Sequence, residues 1–261
     1  MVGSYSRDFA EITGRAPYPY QLRLAEAVFS GLHSVVRAPT GAGKTLAVLI
    51  PFLLGRQRGG RRKLIYVLPL LTLVEAVFAE AAELARPLGL SVAMQTGERP
   101  DAEFFHGADI IVTTFDQLLS GLLCEPFGLA PKLWNINAAA MAGKLVVFDE
   151  FHLMGPSEAF ATAVFGASLF KDYCTTVWMT ATATSPLTER LGLELGAVEI
   201  VLSDEELSLL FEGRGIRRIL RLHLDRTISA DDVLAEKGRV LVVMNTVGQA
   251  QQLFREVLAA G

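Results

Sequence analysis

The sequence predicts an α/β fold in which a mostly parallel β-sheet is flanked by helices. The chain has 261 residues, 51% of them hydrophobic and 20% charged, so it can bury a large core. Short apolar runs rich in β-branched residues alternate with longer helical patterns, as is typical of βαβ units. Leu145–Phe148 is apolar throughout, as expected for a strand that helices cover on both faces.

The predicted strands and helices alternate from about residue 20 to residue 180. The predicted strands are Ser34–Arg37, Lys63–Leu68, Ser91–Met94, Asp109–Thr113, Lys144–Phe148 and Thr175–Met179. The predicted helices are Tyr20–Phe29, Lys44–Leu54, Leu71–Leu84, Phe115–Leu123 and Ser157–Leu169. Together they form a single doubly wound domain.

Residues 226–261 are predicted to open a second α/β domain. The alternation weakens after about Ala197 and resumes with a strand at Gly238–Met244 and a helix at Thr246–Leu258. One strand and one helix cannot bury their apolar faces alone. We therefore expect residues 1–225 to form the first domain and residues 226–261 to be the truncated start of the second.

Composition argues against several classes of protein. Leu46–Leu54, the longest apolar stretch near the start, is far shorter than the roughly 20 residues that span a bilayer, so no membrane association is expected. The N-terminus lacks the features of a secretory signal, which predicts a cytoplasmic protein. Cys124 and Cys174 have no Cys or His at ligand spacing, which argues against a zinc site or a disulfide framework. The net charge of −4 gives no overall attraction to nucleic acid.

A phosphate-binding loop is the strongest local motif. Ala38–Thr45 reads Ala-Pro-Thr-Gly-Ala-Gly-Lys-Thr, directly after a predicted strand and at the start of a helix. Its backbone N–H groups can surround the β- and γ-phosphates of ATP, and its two glycines allow close approach. Lys44 is predicted to reach the phosphates and the Thr45 hydroxyl to bind Mg²⁺. The predicted ATP-binding residues of the loop are Thr40, Gly41, Ala42, Gly43, Lys44 and Thr45.

An acidic motif, Asp149-Glu150-Phe151-His152, follows the predicted strand Lys144–Phe148. In an open α/β sheet, ligands bind at the carboxyl ends of the strands, so we expect these carboxylates beside the phosphate loop. Asp149 is predicted to hold Mg²⁺ through a water molecule, and Glu150 to orient and deprotonate the attacking water. Such a pair favours hydrolysis over transfer to an organic acceptor, which weakens the alternative of a kinase.

Two weaker motifs lie at the ends of the predicted domain. Thr180 and Thr182 follow the last strand, where their hydroxyls can bond the loop after Asp149 and relay the nucleotide state to a neighbouring surface. Gln21 precedes the first strand at a distance suited to a glutamine that reads adenine. A glutamine at the start of a helix is also a common capping or surface residue, and both interpretations stay open.

These motifs, in this order, resemble the first RecA-like domain of superfamily 2 helicases. Pro69–Thr72 is similar to the first DNA-contacting motif of that superfamily, and Thr113–Leu118 is similar to the second. The resemblance covers about residues 17–258 and implies a RecA-like P-loop NTPase fold with ATP and Mg²⁺ as cofactors. The residues assigned to nucleic-acid contact or to coupling are Thr72, Gly97, Thr113, Thr114, Gln117, His152, Thr180 and Thr182.

Within the superfamily, three stretches most resemble the helicase of type I CRISPR interference: Tyr66–Pro69, Val112–Leu118 and Val242–Thr246. This resemblance implies ATP-dependent translocation on single-stranded DNA, with a Cascade-type complex and a separate nuclease domain or protein as partners. None of the four histidines precedes an aspartate, so no His-Asp nuclease motif is recognisable. A general RNA or DNA helicase, and a nucleotide-responsive module that binds DNA or a partner without hydrolysis, are the alternatives.

Helicases that the chain resembles place arginine fingers on a second RecA-like domain. Such an arginine raises the rate of hydrolysis by roughly 10³–10⁵-fold. The sequence of the second domain breaks off after one strand and one helix. We therefore expect the isolated chain to bind ATP and to hydrolyse it poorly.

Overall fold

The computed structural model of the protein describes residues 2–97, 107–125, 135, 137–154, 158–182, 185–212, 227–237 and 240–260. The chain divides into two compact units, residues 1–215 and residues 216–261. The domain boundary predicted at residue 225 lies outside the described residues, so the division at that residue stays a prediction.

Within the described residues, the first unit contains a seven-stranded sheet. Its strands are β1 (Ser34–Arg37), β2 (Lys63–Leu68), β3 (Val92–Gln95), β4 (Ile110–Thr114), β5 (Lys144–Asp149), β6 (Thr175–Thr180) and β7 (Val198–Val201). They lie in the order β3-β4-β2-β5-β6-β1-β7, and each adjacent pair is parallel. The parallel α/β fold that the sequence predicts is thereby confirmed.

Helices cover both faces of this sheet. The first helix, α1 (Val2–Thr13), packs on the two helices that follow it in the chain. The helices that cover the sheet are α2 (Pro19–Ser30), α3 (Lys44–Gln57), α4 (Leu71–Ala85), α5 (Phe115–Leu122), α6 (Glu158–Leu169), α7 (Ser185–Leu195) and α8 (Asp204–Glu212). Alternate residues of each strand face opposite layers. On β2, Tyr66 packs with α2, α3 and α4, whereas Ile65 and Val67 pack with α5, α6 and α7. No helix among the described residues is long and apolar enough to cross a membrane.

The second unit contains α9 (Ala230–Ala235) and α10 (Val247–Ala260). The helix α10 agrees with the helix predicted at Thr246–Leu258. The strand predicted at Gly238–Met244 is wrong for residues 240–244, which are not in a strand, and residues 238–239 lie outside the described part. A strand requires a hydrogen-bonded partner, and the described residues of this unit contain no second strand. Leu241 and Val243 are consequently 88% and 83% exposed.

Lys144 is a buried cation at the start of β5, at the edge of the sheet opposite the strands' carboxyl ends. It is 5% exposed, and its ammonium donates a hydrogen bond to the carbonyl of Ala140 at 2.6 Å. Burial, and to a lesser degree the charge of Lys63, lower the pKa of Lys144 to about 8. In the unfolded chain the pKa of this lysine stays near 10.5. Between these two pKa values the unfolded chain therefore binds a proton that the folded chain has lost. The contribution of Lys144 to stability therefore rises with pH above 8.

Replacing Lys144 by methionine is expected to remove this part of the pH dependence. Between pH 8 and 9.5 the free energy of unfolding of the wild-type chain should rise by roughly 1.5 kcal/mol relative to that of Lys144→Met, because the slope is half of its full value, about 1.4 kcal/mol per pH unit, at pH 8 and approaches that value above it. Urea denaturation at both pH values measures the difference. Lys171→Met, at an exposed lysine, should keep the wild-type slope. Equal slopes for Lys144→Met and the wild type would contradict the prediction.

Candidate functional site

The phosphate-binding motif lies in the loop between β1 and α3. The helix begins at Lys44, so the unpaired N–H groups of its first turn lie at the end of the loop and favour an anion there. Gly41 and Gly43 have φ values of 76° and 81°. This left-handed conformation is free of strain only for glycine, so the loop's backbone requires both residues.

An open cavity of about 400 Å³ lies at the carboxyl ends of the strands, beside this loop. The predicted residues that line it are Thr40, Gly41, Gly43, Lys44, Thr45, Asp149 and Glu150. The structure therefore brings together the phosphate loop and the acidic motif, which are far apart in the sequence. Ala42, which is also predicted to bind ATP, does not line the cavity formed by the described residues and is only 1% exposed.

Lys44 connects the two motifs. Its ammonium donates a hydrogen bond to the carbonyl of Ala38 at 3.2 Å and lies 3.2 Å from Oε1 of Glu150. The side chain of Lys44 is only 7% exposed, and a cation so buried requires an opposite charge or a hydrogen-bond acceptor. Glu150 and the loop carbonyl supply both.

Glu150 combines a strained backbone with an available carboxylate oxygen. Its φ is 50°, in the left-handed region, which costs a residue with a side chain about 1–2 kcal/mol. Its Oε2 atom is buried and accepts no hydrogen bond within the described part of the chain. Nδ1 of His152 lies 3.4 Å from this Oε2 atom. Strain of this kind is typical of functional positions, and the free oxygen can accept a proton.

Asp149 ends β5 and is held by two donors. The Tyr66 hydroxyl donates to Oδ2 at 2.8 Å, and the Glu150 N–H donates to Oδ1 at 2.9 Å. Burial, and then the charge of Glu150, raise the pKa of Asp149, and the Tyr66 hydrogen bond and the Lys44 charge only partly oppose them. A carboxylate and the Thr45 hydroxyl are oxygen donors of the kind that Mg²⁺ takes, so the residues present fit this ion.

Thr180 and His152 join β6 to the acidic motif. Oγ1 of Thr180 lies 2.8 Å from Nδ1 of His152 and accepts the Thr182 N–H at 3.0 Å. The same histidine nitrogen lies near Glu150. The structure thus brings the predicted coupling residues into contact, with Thr180 fully buried and Thr182 exposed.

Gln21 contacts the phosphate loop from α2. Its Nε2 donates to the carbonyl of Gly43 at 3.0 Å, and its Oε1 accepts the N–H of Tyr18 at 2.9 Å. Both ends of the amide have main-chain partners, so in this structure Gln21 caps α2 and braces the loop. Contact with adenine stays a prediction. Tyr20, to which the sequence assigned no hydrogen bond, donates to the carbonyl of Ala42 at 2.8 Å.

The other residues predicted to contact nucleic acid do not line the cavity formed by the described residues. Thr113, the second-last residue of β4, is fully buried, and Gln117, 2% exposed, lies in the first turn of α5. A Cβ atom built on Gly97 would lie 3.7 Å from Nε2 of Gln117, so these two residues are neighbours. Thr114 is the N-cap of α5. Thr72 is exposed in the first turn of α4.

Sequence reasoning missed a group of buried polar atoms beside Thr113. Oε1 of Gln95, Oγ1 of Thr96 and Oγ1 of Thr113 are buried and accept no hydrogen bond from the described residues. Gln95 and Thr113 are paired in the register of β3 and β4. Leaving a buried polar atom unpaired costs about 1–3 kcal/mol. These three side-chain oxygens, at the ends of β3 and β4, could therefore each accept a further hydrogen bond.

Two further residues of the site had no assigned role. Tyr66 is fully buried on β2, and burial together with the Asp149 charge raises the pKa of Tyr66 well above its usual value. Glu80 lines the cavity from α4, and burial, followed by the charge of Glu83, raises its pKa. No short motif marks either residue, because packing between separate elements brings both to the site.

Three features define a P-loop nucleotide-binding domain: a glycine-containing loop that opens a helix, a buried lysine, and carboxylates at the end of β5, two strands away from β1 in the sheet. A family model for the DEAD/DEAH box helicase matches residues 18–190. The chain belongs to this family.

Curated relatives and a solved structure agree with this assignment. The chain is 31% identical to the ATP-dependent DNA helicase Hel308 of Pyrococcus horikoshii, over 68% of this chain and 24% of the relative. It is 26% identical to the probable ATP-dependent RNA helicase DDX52 of Bos taurus, over 95% of this chain and 42% of the relative. The chain thus spans less than half the length of either relative.

The solved structure is that of a hypothetical ATP-dependent RNA helicase from Sulfolobus tokodaii. The TM-score is 0.56 at 22% identity, over 77% of this chain and 57% of that chain. At this identity the similarity shows a shared fold.

Proposed function

We propose that this chain is the ATP-binding part of a superfamily 2 helicase or translocase that hydrolyses ATP and moves on single-stranded DNA. The observation that carries the proposal is the meeting of Lys44, Asp149 and Glu150 at one edge of the sheet, beside the phosphate loop. Membership of the DEAD/DEAH box helicase family supports it.

In the proposed reaction, the loop N–H groups and Lys44 bind the phosphates of ATP. Asp149 and Thr45 would hold Mg²⁺, which supplies positive charge to the transferring phosphoryl group. Glu150 accepts a proton from the attacking water through its carboxylate. Because Lys44 faces Glu150 in this structure, its ammonium must turn toward the phosphates when ATP binds.

The contacts between Glu150, His152 and Thr180 support a coupling role. A shift of the Glu150 carboxylate on nucleotide binding changes the surroundings of His152, and the hydrogen bond to Thr180 passes this change to the end of β6. We propose that the nucleotide state reaches the nucleic-acid surface by this route.

The preference for DNA is supported by the higher identity to the DNA helicase, 31% against 26% for the RNA helicase. The match to the RNA helicase covers 95% of this chain, which makes RNA helicase activity the second candidate. The role in type I CRISPR interference, with a Cascade-type complex and a separate nuclease as partners, is proposed from the sequence stretches alone.

ATP hydrolysis by the 261-residue chain, measured alone, with single-stranded DNA and with RNA of the same sequence, tests the proposal. We expect DNA to stimulate hydrolysis roughly tenfold, a usual size of coupling between two sites, and RNA to have little effect. Lys44→Ala should abolish hydrolysis, whereas Lys171→Ala, at an exposed lysine, should not. Stimulation by RNA alone would favour the second candidate. Hydrolysis by Lys44→Ala at the wild-type rate would contradict both.

A further inference from the structure

The hydroxyl group of Tyr66 lies next to Asp149, a predicted Mg²⁺ ligand. The side chain of Tyr66 is fully buried on β2, in the layer covered by α2, α3 and α4. A buried tyrosine in an apolar layer directs its hydroxyl to a polar partner. Here the hydroxyl reaches past β2 to the end of the neighbouring strand β5, where it meets Asp149.

The phenol makes a hydrogen bond to one side chain of the site. Its O–H donates to Oδ2 of Asp149 at 2.8 Å. A phenol has one hydrogen to donate, and here that hydrogen goes to Asp149.

This hydrogen bond helps to fix how the Asp149 carboxylate faces the cavity, which Asp149 lines together with Thr45. Asp149 is restrained at both oxygens, by Tyr66 and by the N–H of Glu150. A fixed carboxylate is what a cation with strict coordination geometry requires.

We propose that Tyr66 is a positioning residue that orients Asp149 for the Mg²⁺ of the bound nucleotide complex. The proposal rests on the proposed function, since it assigns the support of the same site. Tyr66 acts through Asp149, and its hydroxyl is needed for Mg²⁺-dependent binding rather than for nucleotide binding as such.

Tyr66→Phe in the full 261-residue chain tests the proposal, because phenylalanine keeps the packing and removes only the hydroxyl. The readout is the affinity for a fluorescent methylanthraniloyl derivative of ATP, titrated at several Mg²⁺ concentrations and in EDTA. We expect the affinity in EDTA to stay within about twofold of the wild-type value. The gain in affinity that Mg²⁺ produces should fall roughly tenfold, which corresponds to about 1.4 kcal/mol.

Tyr5→Phe is the matched control. Tyr5 is also a buried tyrosine, 3% exposed, and its hydroxyl has no hydrogen-bond partner among the described residues. This variant should keep the wild-type dependence on Mg²⁺. An unchanged Mg²⁺ dependence in Tyr66→Phe, or an equal loss of affinity with and without Mg²⁺, would overturn the role of Tyr66. A wild-type chain that binds no nucleotide would overturn the proposed function as well.

A second measurement on the wild-type chain does not depend on the variant's folding. In the NMR spectrum of protein labelled at the tyrosine Cζ carbon, each of the other four tyrosines is assigned by its own Phe variant. The remaining signal, from Tyr66, is expected to move when Mg²⁺ is added to the ADP complex. A Tyr66 signal that Mg²⁺ leaves in place would overturn the proposal.

Discussion

Glu150→Gln is expected to slow ATP hydrolysis by roughly 10²–10⁴-fold, the range contributed by a positioned general base. Glutamine has nearly the shape of glutamate, but its amide cannot take a proton from the attacking water. The structure leaves Oε2 of Glu150 without a hydrogen bond from the described residues, so this oxygen is available as an acceptor. The decrease should appear in the rate of the hydrolysis step and not in the affinity for ATP.

Nucleotide binding is expected to survive this substitution. Oε1 of Glu150 lies 3.2 Å from the ammonium of Lys44, and a neutral amide competes less strongly with phosphate for that cation. The Glu150 charge also raises the pKa of Asp149, so its removal shifts that pKa down and keeps Asp149 ionised over a wider pH range. Both effects favour the bound complex.

Single-turnover hydrolysis, with protein in excess over ATP, separates these effects from slow product release. Affinity for the fluorescent ATP derivative is measured on the same protein. Glu158→Gln, at an exposed glutamate of α6, is the control and should match the wild type in both assays. A hydrolysis rate for Glu150→Gln within threefold of the wild-type rate would rule out Glu150 as the base.

Local pattern was sufficient to predict most of the sheet. The strands β1 and β2 begin and end at the predicted residues, because β-branched runs flanked by polar residues mark buried parallel strands. The edge strand β7 was not predicted. It is paired on one side only, and three of its four residues are exposed, so its sequence carries little apolar signal.

The helix α1 was also not predicted, although its sequence contains a signal. Tyr5 and Phe9 are four residues apart and both are buried, which is the spacing of one helical face. The predicted strand at Gly238–Met244 shows the opposite error. An alternating apolar segment predicts a strand only where a neighbouring strand is present to pair with it.

Local sequence predicts some residues of the site, whereas others reach it only through contacts between distant parts of the chain. Lys44, Asp149 and Glu150 were predicted because each belongs to a short motif at the end of a strand. Tyr66 was not assigned a role, because its contact with Asp149 depends on the pairing of β2 with β5, and Asp149 lies 83 positions further along the chain. Glu80 reaches the cavity only through the packing of α4 on the sheet.

Trp178→Ala is expected to destabilise the fold by about 3–5 kcal/mol, the usual cost of truncating a buried aromatic side chain to alanine. Trp178 is fully buried on β6. Its ring stacks on Phe148 with centroids 4.0 Å apart and meets the edges of Phe151 and Phe160 at 5.9 and 6.0 Å. Its indole N–H donates to Oγ1 of Thr176 at 3.0 Å. Alanine removes these contacts and leaves a cavity.

Urea denaturation at 25 °C measures this loss. Trp178→Phe keeps a ring in the stack but removes the N–H and some volume, so it should cost less than the alanine variant. Phe165→Ala, at a residue of α6 that is 60% exposed, should lie within about 0.5 kcal/mol of the wild type. A loss below about 1 kcal/mol for Trp178→Ala would show that the ring cluster contributes little to the stability of the fold.

The same cluster connects the core to the acidic motif. Asp149 and Glu150 lie between Phe148 and Phe151, and both of these rings contact Trp178. The acidic motif therefore cannot shift without disturbing the core. In Trp178→Phe, we expect nucleotide binding and helical circular dichroism to be lost at the same urea concentration. Binding lost well before the helical signal would show that the acidic motif opens independently of the core.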